Sequence, residues 1–98
     1  MVQQSLETCG MYNLLIKREN NVAKSLSGIL GLIEPEVAKT LEYIKTQFPN
    51  FTEHGMQHSL RIINYIYSIM SEDLKQNISD VEIFCFIMAA FFHDISGC

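Results

Sequence analysis

The chain has 98 residues, 48% of them hydrophobic, which is enough to bury one modest core and too little for a second domain. Eleven acidic residues stand against seven Lys and Arg, and the resulting formal charge of −4 disfavours a nucleic-acid backbone or an anionic membrane surface as partner. The cations Lys17, Arg18, Lys24, Lys39, Lys45, Arg61 and Lys75 are scattered, so neither a basic patch nor the recognition helix of a DNA-binding domain can be read here.

Met1 to Cys9 carries Gln, Ser, Glu and Thr in place of the basic and apolar regions of a signal peptide. Residues 5–18 then set Leu6, Met11, Tyr12, Leu14 and Leu15 among polar neighbours, an amphipathic helix that Gly10 weakens. Residues 21–33 place Val22, Leu26, Ile29, Leu30 and Ile33 at helical spacing, with Gly28 and Gly31 marking either a break or a tight helix crossing. Pro35 suits the first turn of a third helix, and Glu34 and Glu36 suit the positive end of its dipole. Val37, Ala38, Leu41, Ile44 and Phe48 continue that helix until Pro49-Asn50 ends it.

Thr52 is placed to cap a helix beginning at Glu53, whose apolar stripe is Met56, Leu60, Ile63, Ile66, Tyr67 and Met70. Residues 71–78 are polar and read as a loop. Ser79-Asp80-Val81-Glu82 is a capping box in front of the apolar run from Ile83 to Phe92, which predicts a last helix from about Asp80 to Phe92 or just beyond. With almost no polar face, that helix should be central and buried, and Cys85 within it should behave as a small buried hydrophobe. The run falls well short of the roughly twenty residues that a bilayer span needs. Cys9, Cys85 and Cys98 are odd in number and widely spaced, which suits reduced thiols in a reducing cytosol.

No segment alternates with a period of two. The fold class is therefore all-α, a compact bundle of four to five helices. A single domain over residues 1–98 is expected, with N-terminal helices in 1–34 and the histidine-bearing helices in 35–98.

Two histidine clusters carry the chemistry. His54 and His58 are four apart and would face the same way on a continuous helix. The spacing matches the His-Glu-x-x-His metalloprotease motif, but Gly55 stands where that motif needs its catalytic Glu. His93-Asp94 directly follows the apolar run and offers an imidazole nitrogen and a carboxylate oxygen from neighbouring positions. Such groups are costly to bury unless paired, hydrogen-bonded or bound to metal. Spacing alone leaves two readings open: Asp94 orients His93 at a helix end, or the pair joins a distant histidine in a metal site.

The combination resembles the HD-domain metal-dependent phosphohydrolase superfamily. His58-Ser59-Leu60-Arg61-Ile62-Ile63 is similar to its first motif, and Ala89-Ala90-Phe91-Phe92-His93-Asp94-Ile95-Ser96 to the second. Phe51-Thr52-Glu53-His54-Gly55-Met56-Gln57-His58-Ser59 is further similar to the Tyr-Thr-Asp-His-Gly-x-x-His-Ser form found in some of its members. The resemblance covers residues 48–96.

It implies that His58, His93 and Asp94 are metal ligands, with Asp94 the bridging candidate where two ions are held. His54 either lines the cleft as a catalytic group or supports substrate or ligands. Arg61, one turn after His58, is a candidate phosphate contact, although a solvated cation on a polar face is the simpler reading. The cofactor implied is a divalent metal (Mn, Fe, Zn or Mg) and the partner a nucleotide or other phosphoester small molecule.

The superfamily completes its site with an Asp on a later helix, and nothing here follows Cys98. The chain is therefore expected to be the N-terminal part of a longer domain, weak or inactive alone. The alternative is a catalytically inactive HD-like regulatory or protein-interaction module, with a homo-oligomer or a partner domain covering the apolar C-terminal helix. A cytoplasmic location, with no membrane and no nucleic acid as partner, is expected for either.

Overall fold

A computed structural model of the chain describes residues 5–47 and 56–96, with the side chains of Asp94 and Ser96 outside the described set. These residues form a 3-10 turn, Leu6–Thr8, and five α-helices: α1 (Gly10–Ile16), α2 (Asn21–Gln47), α3 (Met56–Ile69), α4 (Glu72–Asn77) and α5 (Asp80–Ser96). Among the described residues there is no strand, as the periodicity requires. No helix among them is long and apolar enough to cross a membrane.

The first helix is shorter than residues 5–18 suggest. Gly10 opens α1 and does not interrupt it. Its backbone N–H donates to the Asn64 side-chain oxygen of α3 at 3.3 Å. A Cβ at this position would overlap the Tyr67 ring, so the approach of α1 to α3 depends on glycine. Upstream, the Leu6 N–H donates to Glu34 Oε2 of α2 at 2.9 Å. Glu34 therefore fastens the N-terminal turn instead of starting a helix.

One continuous helix replaces the two expected over 21–33 and from Pro35. Asn20 caps it, its side-chain oxygen accepting the Ala23 N–H at 2.7 Å. Pro35 lies inside α2, where it removes the hydrogen bond to the Gly31 carbonyl. Both residues are exposed, so water can satisfy that carbonyl. Gly28 and Gly31 mark no tight crossing: a Cβ at Gly28 meets nothing within 4 Å, and one at Gly31 meets only the Tyr12 hydroxyl at 3.8 Å. The termination at Pro49-Asn50 and the Thr52 cap fall outside the described residues.

Residues 71–78, expected as a loop, contain α4. Ser71 caps it by accepting the Leu74 N–H at 3.1 Å, and Glu72 and Asp73 occupy its first turn. The next boundary is the capping box read from the sequence. The Ser79 N–H donates to Glu82 Oε1 at 2.9 Å, and the Glu82 N–H donates to the Ser79 hydroxyl at 3.1 Å. Hydrogen bonding to its carboxylate, from the Ser79 backbone first and the Ser79 side chain next, holds the Glu82 carboxyl below its usual pKa. Arg18 braces the same corner, bonding Asp80 Oδ1 at 2.9 Å and the Lys75 carbonyl at 3.2 Å.

The last helix packs against α1, α2 and α3. Ile83, Ile87, Ala90 and Phe91 are buried in a core shared with Leu15, Leu30, Leu41, Leu60 and Ile63. The expectation of a helix buried all round is nevertheless too strong. Phe84 and Met88 are half-buried, Cys85 is exposed, and Val81 and Phe92 are 54% and 57% exposed. Three helices flank α5, and its remaining side meets none of them. The buried thiol is instead Cys9, which desolvation holds above its usual pKa.

Candidate metal centre

The two histidine motifs lie on neighbouring helices. His58 is in the first turn of α3 and half-buried; His93 is near the end of α5 and exposed. Because α5 runs to Ser96, His93-Asp94 is part of the helix and does not follow it. His93 is thus exposed although the helix that carries it is apolar over most of its length.

Between the two motifs lies Ser59, a fully buried polar side chain. Its hydroxyl donates to the Ala90 carbonyl of α5 at 3.4 Å. A buried hydroxyl has to be satisfied, and this bond does so across the helix interface. Ser59 lies ten residues before the end of α3 at Ile69, and Ala90 ten residues after the start of α5 at Asp80. The contact thus lies about 15 Å of helix from the α4 connection on each side.

From that contact, His58 lies one residue before Ser59 in α3 and His93 three residues after Ala90 in α5. Position 94 continues the spacing of Ile83, Ile87 and Ala90, the face of α5 that meets Ser59. The Asp94 side chain lies outside the described residues, as does all of His54. Arg61 is exposed on α3 one turn after His58.

The sequence reading gave Ser59 no role beyond its place in the motif. A signal was present: it stands one turn before Ile63 on the buried side of α3, where a polar residue needs a partner. Among the described residues no three His, Cys, Asp or Glu groups are gathered in one cluster. His58 and His93 are two of the proposed ligands, and Asp94 is the third. Two imidazoles and a carboxylate suit a first-row divalent ion, and the exposure of His93 leaves the site open to solvent. The donor types, though not a described three-ligand geometry, are those such an ion takes.

A family profile described as HD-CE matches residues 48–97, half of the chain. The chain belongs to the HD-CE family. The matched segment spans α3, α4 and α5, and so includes both motif helices and the Ser59–Ala90 contact between them. No curated protein and no solved structure matches the chain. Helix α2, which covers much of the core under α5, lies before the matched segment, so the HD-CE helices rest on a support outside it.

Proposed function

We propose that this HD-CE chain provides the metal-binding part of a phosphohydrolase centre acting on a nucleotide-like phosphoester. The observation that supports the reading is the Ser59–Ala90 contact between α3 and α5, next to His58 on one helix and one turn before His93-Asp94 on the other. His58 and His93 present imidazole nitrogens, and Asp94 adds a negative oxygen that offsets the charge of a cation. When bound, a divalent ion at this place supplies an acidified water and a Lewis acid for a phosphoryl oxygen.

The remaining roles belong to the chain. His54, four residues before His58 in the sequence, is the candidate to exchange a proton with the reacting groups or to support the substrate. Arg61 offers a guanidinium to a phosphate arriving from solvent, in a geometry that a planar donor serves well. The exposed position of His93 lets a small phosphoester reach the centre without an opening motion.

The test is metal content and turnover of the purified chain with Mn²⁺ or Zn²⁺, using bis(p-nitrophenyl) phosphate and nucleoside phosphates. Stoichiometric uptake is expected, abolished in Asp94→Ala and only weakened in His54→Ala. A chain that takes up no divalent ion refutes the metal centre. One observation favours a second reading, a helical interaction module without turnover: the exposed apolar side chains Val81 and Phe92 on α5. A metal-free, stable oligomer is the outcome that would select it.

A further inference from the structure

We infer that Ser59 is a positioning residue of this centre, setting the register and spacing at which His58 of α3 faces the turn of α5 that carries His93-Asp94. The inference rests on the metal-centre reading and goes beyond it, since it concerns a side chain that would not touch the ion.

Ser59 is the only buried polar or charged side chain among the described residues, at 0% exposure. Its neighbours on that face, Leu60 and Ile63, are fully buried and apolar, as are Ile87 and Phe91 opposite. An apolar residue would fill the same space without any need for a partner. A hydroxyl here is stable only where it finds an acceptor, and it finds the Ala90 carbonyl at 3.4 Å. Apolar packing between two helices is non-directional and tolerates sliding, whereas a hydrogen bond selects one register.

The acceptor is also informative. In an α-helix the carbonyl of residue 90 accepts the N–H of the residue four ahead, which is Asp94. Ser59 therefore shares the carbonyl that closes the turn bearing both proposed α5 ligands. On the other helix, it is the residue next to His58. One hydroxyl thus connects the backbone of the first motif to the turn of the second. Groups that hold metal ligands in place without touching the metal commonly change affinity by about 10–100-fold when removed.

The experiment compares the full 98-residue chain with Ser59→Ala, Ser59→Cys and, as a control, Ile63→Val, which trims the same buried face one turn away. Co²⁺ binding is measured by calorimetry and by its visible spectrum. Amide hydrogen exchange of the metal-free chains is measured in parallel. Ser59→Ala should weaken Co²⁺ binding by about 10–100-fold and alter its spectrum. Ser59→Cys, which keeps a weaker donor, should fall between it and the parent. Exchange in Ser59→Ala should rise at residues 93–96 more than at Ile83 to Ile87. Ile63→Val should lose stability without either effect.

Unchanged Co²⁺ affinity in Ser59→Ala, with binding intact in the parent, overturns the role of Ser59 and leaves the metal centre standing. An equal loss of affinity in Ile63→Val makes Ser59 ordinary packing and also overturns it. Absence of Co²⁺ binding by the parent chain overturns the metal centre and this role together. Should Ser59→Ala fail to fold, Ser59→Cys decides on the same measurements.

Discussion

Replacement of Phe91 by Ala should be among the most damaging single changes in this protein. Phe91 is 0% exposed and lies where α5 meets the core. A phenyl side chain buries roughly 150–250 Å², which at about 25 cal/mol per Å² corresponds to roughly 4–6 kcal/mol as an upper bound. Measured Phe→Ala costs in cores are about 3–5 kcal/mol once partial collapse of the cavity is included. A domain of this size has a total stability of roughly 5–15 kcal/mol, so the loss could consume a large part of it. The assay is urea unfolding followed by far-UV circular dichroism. Its internal comparison is Phe92→Ala, the adjacent residue of the same type, which is 57% exposed and should cost about 1 kcal/mol or less. Equal losses at the two positions, or a loss below about 1 kcal/mol at Phe91, would refute the assignment of the buried face of α5.

Gly10→Ala should destabilise by about 1–3 kcal/mol because its Cβ overlaps the Tyr67 ring, and a smaller residue at 67 should relieve it. Gly28→Ala, in an open position within α2, should instead stabilise by about 0.5–1 kcal/mol; chemical denaturation separates the two signs. Under native conditions an alkylating reagent should modify exposed Cys85 and spare Cys9, whose thiol is buried and held above its usual pKa; peptide mass mapping reads both. Glu82 has a folded-state pKa below its unfolded one, so its contribution is present above the unfolded value and is lost as the pH falls through the folded value. Urea titrations of the parent and Glu82→Gln should therefore differ at neutral pH and converge in acid.

The helices themselves were legible in the sequence because they depend on local features. The 3.6-residue spacing of Leu60, Ile63 and Tyr67, the Ser79–Glu82 box and the absence of period-two alternation need only nearby residues to act. The likeness of residues 48–96 to an HD protein was legible for the same reason, since its motifs are short and contiguous. Local signals failed where a distant residue decided. Pro35 looks like a helix start, yet α2 passes through it because Asn20 had already capped the helix and the lost bond faces water. Residues 71–78 are polar throughout, yet a Ser71 cap is enough for one short helix against Arg18.

Only the tertiary structure decided which side of α5 is buried. A helix that is apolar all round carries no periodic mark of its inner face, so Phe91 and Phe92, or Ile87 and Cys85, cannot be told apart by type. The same holds for the relation of the two histidine motifs. The sequence determined that His58 sits on a helix and that His93-Asp94 stands at the end of one. Only the structure shows Ser59 of the first motif helix against Ala90 of the second, because a hydrogen bond across thirty-one residues leaves no trace in the spacing of either segment.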